Sequence, residues 1–304
     1  MERLRPDRSE LLHKGGAGGG WAARVDRARR RPTYRVSVDD RPIGMFDSGF
    51  GGLTVARALI DLLPDEDLVY FGDTGRYPYG PKSLDEVRGF ASQITSWLVE
   101  RHDVKMVVVA CNTAAAAALE LLRFECDVPV VGVIDPGVRA MVAATRSGRV
   151  GVIGTLGTVQ SGAYQRAVHA TRAPVALTVS ACPGFVEFVE RGETGTEQVH
   201  VLAERLLAPV VAARIDTLLL GCTHYPFLAR TIGDVMGRDV VLVSSADETA
   251  FEVSSILADT GIGRRTAGKG THRFVSSGDV AWFRALGARL LGPELEGVEG
   301  WEWA

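Results

Sequence analysis

The sequence predicts an α/β fold: two pseudo-symmetric α/β domains with mainly parallel sheets and a candidate site in the cleft between them. Two observations carry this expectation. From Ile43 onward, continuous apolar runs alternate with amphipathic helical segments, as in parallel sheets covered by helices on both faces. The text also repeats. MVVVACNT at 106–113 aligns with TLLLGCTH at 217–224, an offset of 111 residues, and IGMFDSG at 43–49 aligns loosely with VGVIGTL at 150–156, an offset of 107. Near-equal offsets point to two copies of one unit.

The elements follow in order. IGMFDSGFGGLTV begins a strand, turns on glycines and enters a helix whose face is Val55, Ala58, Leu59 and Leu62, with Pro64 stopping it. LVYFGDT (68–74) is a second strand. Ser83 and Glu86 have capping-box spacing ahead of a helix that turns Val87, Phe90, Ala91, Ile94 and Leu98 to one side. KMVVVACNT (105–113) is a buried strand running into an alanine-rich helix, and VPVVGVID (128–135) is another strand. RVGVIGTLGT (149–158) opens the second series, which continues through VALTVSACP (175–183), a helix from about 196 to 213, IDTLLLGCTH (215–224) and DVVLVSS (239–245). Ser245 and Glu248 have capping-box spacing before a further helix. The expected division is domain one over 43–135 plus 243–304, because the C-terminal strand and helix have no place in the second copy, and domain two over 136–242.

Residues 1–42 differ from the rest. They contain GGAGGG, the run Arg29, Arg30, Arg31 before Pro32, and no sustained apolar periodicity. They read as a disordered, basic, glycine-rich arm that is dispensable for folding. The arm holds 11 basic and 6 acidic residues, net +5. The other residues hold 23 basic and 31 acidic, net −8. An acidic body argues against nucleic acid as a direct partner. No run approaches the roughly 18 apolar residues of a membrane span, and the basic start lacks a secretory apolar region. Four cysteines in 304 residues, none in a C-x-x-C pair, argue against a disulfide scaffold and structural zinc. The expectation is a cytoplasmic enzyme with no membrane contact and no metal.

Ligands of open parallel sheets bind beyond the carboxyl ends of the strands. Asp47, Cys111, Thr155 and Cys222 all fall where a strand has just ended. Two facing units would bring two thiols to one cleft. Cys126 and Cys182 lack such a setting and read as small hydrophobes. His224, two residues after Cys222, could lower a thiol pKa as imidazolium. Asp47 reads equally as a turn or N-cap residue, and Glu190 by composition as an exposed helical acid. DSGFGG is not G-x-G-x-x-G, and neither G-K-[ST] nor G-x-S-x-G occurs, which disfavours dinucleotide, P-loop and nucleophile-elbow chemistry. Of the four lysines only Lys82 lies near a suggestive loop, so a pyridoxal Schiff base is disfavoured.

Six ordered segments carry a resemblance: GMFDSGFGGLTV (44–55), YFGDTGRYPYGPKS (70–83), VVACNTA (108–114), VIGTLGTVQSGAY (152–164), CPGFVEFVE (182–190) and LLGCTHYPFL (219–228). Together they resemble glutamate racemases, within the broader aspartate/glutamate racemase superfamily; THRFVSSGD (271–279) is similar to that family's C-terminal strand, and residues 1–42 have no counterpart. The resemblance implies a cofactor-independent, two-base conversion between L- and D-glutamate that feeds peptidoglycan synthesis. It implies Cys111 and Cys222 as the acid/base pair, Asp47 assisting Cys111, and Glu190 and His224 assisting Cys222. Substrate contacts carry over to Asp47, Ser48, Tyr79, Gly80, Asn112, Thr113, Thr223 and His224, with Thr155 and Thr158 adding hydroxyls. It also implies a homodimer and, as in some relatives, a contact with DNA gyrase.

The residues support the chemistry independently. Inverting a stereocentre by proton transfer needs a base on one face and an acid on the other, and thiols with an ordinary pKa of about 8.5 can serve as both. Three rivals stand beside this reading: racemisation of another substrate such as aspartate, a Cys222–His224 nucleophilic hydrolase that leaves Cys111 unexplained, and an interaction protein using the basic arm.

Overall fold

The computed structural model describes residues 39–295 and 297–303. The first series comprises β1 (Ile43–Asp47), α1 (Leu53–Leu62), β2 (Leu68–Gly72), α2 (Leu84–His102), β3 (Met106–Val109), α3 (Asn112–Glu125), β4 (Val130–Gly132) and α4 (Ile134–Ala144). The second comprises β5 (Arg149–Gly154), α5 (Leu156–Gln160), α6 (Ala163–Thr171), β6 (Ala176–Ala181), α7 (Phe185–Glu190), α8 (Glu197–Ala212), β7 (Thr217–Gly221), a 3₁₀ turn (Tyr225–Leu228), α9 (Ala229–Met236) and β8 (Val241–Ser244). α10 (Ala246–Thr260), β9 (His272–Ser276), α11 (Val280–Leu291), a 3₁₀ turn (Gly292–Leu295) and β10 (Val298–Gly300) complete the chain.

The strands form a six-stranded sheet, β10-β9-β2-β1-β3-β4, and a four-stranded sheet, β6-β5-β7-β8. All pairings in both are parallel. The order β2-β1-β3-β4 of the first sheet is the order β6-β5-β7-β8 of the second. The repeat seen in the text is therefore a repeat of topology, with Cys111 after β3 and Cys222 after the matching β7. In each unit the winding reverses between the first and third strands. That crevice is where open α/β sheets bind ligands.

The local causes are readable. β1, β2, β3 and β7 are buried at every position, which is why they are apolar throughout rather than alternating. Right-handed crossovers put α1 on one face of the first sheet and α2 and α3 on the other. α2 starts on a full capping box, the Ser83 side chain accepting from the Glu86 N–H while the Glu86 carboxylate accepts from the Ser83 N–H. It ends with the Arg101 cation in its last turn, where positive charge is favoured by the helix dipole. α10 packs against α1 and α4. α4 in turn packs on β7 and β8, so both sheets belong to one compact unit.

Three features differ from expectation. Ser245 precedes α10 without a side-chain cap; its backbone is helical there, so its hydroxyl is turned away from the N–H groups that a cap would accept from. Most of the expected arm, residues 1–38, lies outside the described residues. Residues 39–42, read as its end, are held: the buried Lys105 Nζ donates to Asp39 O at 2.9 Å and pairs with Glu66 at 2.5 Å, and Lys105 N donates to Pro42 O at 2.9 Å. Finally, β10 adds a short edge strand along β9 that the sequence reading had not anticipated.

Candidate active site

Cys111 is the N-cap residue of α3. The strand before it is locked in place by the Ala110 N–H donating to Phe46 O at 2.9 Å. The first turn of α3 leaves N–H groups without intrahelical partners, aimed at the thiol and at any anion beside it. Cys222 holds the equivalent place after β7, but a turn and a 3₁₀ segment follow instead of an immediate α-helix. Pro226 inside that segment removes an N–H and favours the tighter turn.

The two thiols line one cavity with Ser48, Tyr77, Pro78, Tyr79, Gly80, Asn112, Thr113, Thr155, Val186, Thr223 and His224. Its volume is about 20 Å³, room for about one water. A neighbouring cavity of about 120 Å³ shares Pro78, Gly80, Thr155 and Val186 with it and is also lined by Cys182 and Glu187. The first cavity is by itself smaller than an amino acid, and the four shared residues form the partition between the two. A larger open groove of about 530 Å³ between α3, α4 and α6 has no thiol or imidazole among its lining residues.

Of the expected contact residues, Ser48, Tyr79, Gly80, Asn112, Thr113, Thr155, Thr223 and His224 line the cavity with the thiols. Three others do not. Asp47 is fully buried and lies one hydrogen bond behind the wall, accepting from the Thr223 hydroxyl at 3.3 Å and the Gly49 N–H at 2.9 Å. Thr158 is fully buried; its hydroxyl lies 3.2 Å from that of Thr113 and 3.0 Å from that of Thr155, which are themselves 3.0 Å apart. It orders the hydroxyls that do face the cavity. Glu190 sits behind His224, its Oε1 at 3.4 Å from Nε2, ion-pair distance but outside hydrogen-bond geometry.

His224 is fixed by packing. Phe50 meets it edge-on at 4.9 Å and Tyr77 stacks at 6.1 Å, while Nδ1 lies 3.9 Å from the Cys222 sulfur and 3.5 Å from the Thr223 hydroxyl. The turn after β1 passes so close that a Cβ on Gly51 would come within 2.5 Å of Nδ1 and 2.6 Å of the Thr223 hydroxyl; glycine is required for that approach. Asn112 accepts from the Tyr164 hydroxyl at 2.7 Å through its Oδ1. This orients the amide and leaves its buried Nδ2 without a partner, a donor in a cavity wall awaiting an acceptor.

The electrostatics of the protein's own groups favour neutral thiols. Burial, with the Asp47 charge adding to it, pushes Cys111 up to about 12. Burial raises Cys222 as well, with Cys111 and Asp47 contributing. Burial also raises Asp47, opposed chiefly by His224. An arriving ammonium would reverse this balance by favouring a thiolate beside it. Tyr77, Pro78 and Val186 also line the cavity and are not among the expected residues; Pro78, like Tyr77, belongs to the loop before α2. Tyr77 lay inside the YFGDTGRYPYGPKS segment, whereas Val186 carries no chemical signal. Among the described residues, no group of three or more His, Cys, Asp or Glu is placed to hold a metal.

The fold and the site are those of an α/β enzyme with its cavity at the strand ends, and residues 53–252 match a family model: the chain belongs to the Asp/Glu/Hydantoin racemase family. A curated relative, the glutamate racemase of Mycobacterium ulcerans, is 56% identical over 259 residues, 85% of this chain and 95% of the relative. The crystal structure of a glutamate racemase isoform from Bacillus anthracis superposes with a TM-score of 0.81 at 42% identity, covering 87% of this chain and 97% of that one. The glutamate racemase of Francisella tularensis, solved in complex with D-glutamate, superposes with a TM-score of 0.81 at 33% identity over 87% of this chain and 98% of that one.

Proposed function

We propose that this protein interconverts L- and D-glutamate without a cofactor, using Cys111 and Cys222 as opposed acid and base, and supplies D-glutamate for peptidoglycan. The observation that carries the reading is the placement of both thiols in the wall of one cavity, on equivalent strand ends of two related sheets. The relatives' glutamate racemase activity supports the substrate.

The chemistry follows from the wall. One substrate carboxylate suits the N-terminus of α3 with the Asn112 Nδ2 and Thr113 donors; N–H groups and hydroxyls around Ser48 and Tyr79–Gly80 suit the other carboxylate, and the Ser48 and Thr223 hydroxyl oxygens can accept from the ammonium. One sulfur, as thiolate, takes the Cα proton; the electron pair passes into the adjacent carboxylate; the opposite thiol delivers its proton to the other face. The sulfurs leave with exchanged protonation and re-equilibrate with solvent. By resemblance, Cys111 is the base acting on D-glutamate and Cys222 the base acting on L-glutamate. By the same resemblance Asp47 assists Cys111, while the Glu190–His224 pair, with His224 Nδ1 at 3.9 Å from the sulfur, assists Cys222.

The test is L-glutamate in heavy water. Early D-glutamate should carry deuterium at Cα while unreacted L-glutamate carries almost none, because abstraction and delivery use different groups on different faces. Deuterium washing into recovered L-glutamate before product forms would refute the two-base scheme. A homodimer and a contact with DNA gyrase are further readings carried by resemblance alone; light scattering tests the first and a supercoiling assay the second.

A further inference from the structure

Asp73 is a buried carboxylate, close to the cavity, to which the mechanism gives no part. It follows β2 directly and is fully buried. Its side chain accepts from Arg76 Nε at 2.7 Å, from the Tyr79 hydroxyl, from the Ser277 hydroxyl at 2.6 Å and from the Trp303 indole Nε1 at 3.1 Å. Its N–H donates to Asp47 O at 3.0 Å. The Arg76 guanidinium that neutralises it has the Phe90 ring centroid at 4.3 Å and that of Trp303 at 4.4 Å. Donors from three separate stretches of chain thus converge on one anion, an arrangement that fixes the relative position of all three.

Two of those stretches are remote from the chemistry; the third is in it. Tyr79 and Gly80 line the thiol cavity, and the Gly80 carbonyl accepts from the Gly157 N–H at 3.0 Å, reaching the second sheet's α5. Between β2 and α2 this stretch has neither helix nor strand; the turn bonds Arg76 N–H to Asp73 O and Lys82 N–H to Tyr79 O, both at 3.1 Å, shape it locally, and the side-chain bonds to Asp73 tie it to the rest of the fold. Trp303 arrives from the far edge of the molecule. β10 pairs with β9, and the Trp301 N–H extends that ladder to Ser276 O at 2.9 Å. Trp301 then packs on Trp97, with ring centroids 5.4 Å apart, while Trp303 reaches the Asp73 cluster.

We propose that Asp73 and Trp303 are positioning residues for racemisation: the C-terminal tail braces the Asp73 carboxylate, which holds Tyr79 and Gly80 in place for the substrate. The proposal rests on the racemase reading for its kinetic consequence and on geometry alone for its structural one. Without the brace, substrate binding must order the loop, and that backbone entropy is charged against affinity. The loss should appear in KM with kcat nearly unchanged, the signature of lost uniform binding.

The experiment compares Trp303→Leu, Trp303→Phe and Trp301→Leu in the full chain, by steady-state kinetics with L- and D-glutamate and by amide hydrogen exchange of residues 74–82. Trp303→Leu should raise KM about tenfold with kcat within about threefold, and should speed exchange in 74–82. Trp303→Phe keeps the ring over Arg76 and should stay within about threefold of the parent, since it loses one hydrogen bond. Trp301→Leu removes a ring that packs on Trp97 and, edge-on at 6.0 Å, on Trp303, but no bond to Asp73, so it should shift KM and the 74–82 exchange clearly less than Trp303→Leu does. Equal behaviour of Trp303→Leu and Trp301→Leu, or parental KM and exchange in Trp303→Leu, overturns the proposal. If Trp303→Leu does not fold, Ser277→Ala removes a different donor to Asp73 and, with it, the acceptor of the Gly75 N–H at 3.0 Å; read over 76–82 alone, faster exchange supports the brace and unchanged exchange overturns it. Should the parent protein fail to racemise glutamate, the functional reading falls while the exchange comparison still decides the brace.

Discussion

Alkylation of the unliganded protein should be slow at both active-site thiols, and the size of the effect follows from burial. A buried thiol disfavours its charged form, so its pKa rises. With Cys111 pushed up to about 12, only about one molecule in ten thousand carries a Cys111 thiolate at pH 8, against roughly a quarter for an ordinary thiol of pKa about 8.5. Since the thiolate is the nucleophile, iodoacetamide should modify Cys111 on the order of 10³-fold more slowly than a free thiol, and the tight cavity slows it further. The sign of the pH dependence is fixed by the same argument: thiolate grows tenfold per pH unit until the pKa is reached, so the logarithm of the rate should rise with slope one from pH 7 to 10 without a plateau. Peptide mapping by mass spectrometry resolves the sites. Cys126, only half buried, should react first; Cys111, Cys182 and Cys222 should lag. Asp47→Asn removes the second cause of the Cys111 shift and should speed its modification at pH 8. A Cys111 rate that levels off near pH 8–9, or that ignores Asp47→Asn, would refute the reasoning. The same numbers bear on catalysis. Forming the Cys111 thiolate at pH 8 among the protein's own groups costs about 5 kcal/mol, and under the proposed mechanism the substrate ammonium offsets much of it.

Cys111→Ala and Cys222→Ala should each abolish racemisation in both directions by polarimetry, since each direction needs a base and an acid; activity above about one thousandth of the parent would count against the paired roles. Glu190→Gln should lower turnover by about 10- to 100-fold. Because L- and D-glutamate have equal free energy, kcat/KM must fall by the same factor in both directions, and any asymmetry should be confined to kcat and KM separately. Gly51→Ala should displace His224 and Thr223, whose atoms lie within 2.6 Å of the added Cβ; a shift of about 1 Å at a catalytic group costs on the order of 10²-fold, so unchanged kinetics in the folded variant would contradict the observed approach. Deleting residues 1–38 should leave the thermal midpoint nearly unchanged, whereas extending the deletion through 42 removes the Asp39 and Pro42 carbonyls that Lys105 uses. At about 1–3 kcal/mol for an unsatisfied buried group, calorimetry should show a drop of several degrees, and equal midpoints would show that those bonds contribute nothing.

Much of the site was legible in the sequence because its chemistry sits on strand ends, and strand ends can be read. Buried parallel strands are apolar without interruption, so a cysteine followed by Asn-Thr or Thr-His stands out where MVVVA or TLLLG stops. The repeat of that pattern at near-constant offset implied two units, and the common order of the two sheets is its physical counterpart. Local signals succeeded where the backbone alone decides, as at the Ser83–Glu86 capping box, and failed where it does not: Ser245 has the same spacing, yet its helical backbone turns the hydroxyl away. Only the tertiary structure could place Asp47 and Thr158 behind the wall rather than in it, since depth depends on how two sheets approach, not on sequence spacing. Nor does the text announce that Asp73, Arg76, Ser277 and Trp303 meet, because contacts between residues some 200 positions apart leave no periodicity. A three-residue edge strand such as β10 is too short to read, and its tail acquires meaning only once β9 has carried it beside β2. The sequence by itself determined which residues could do the chemistry. The packing of the two units decided which of them face the substrate and which hold the others still, because burial and convergence are properties of the folded surface and not of the chain.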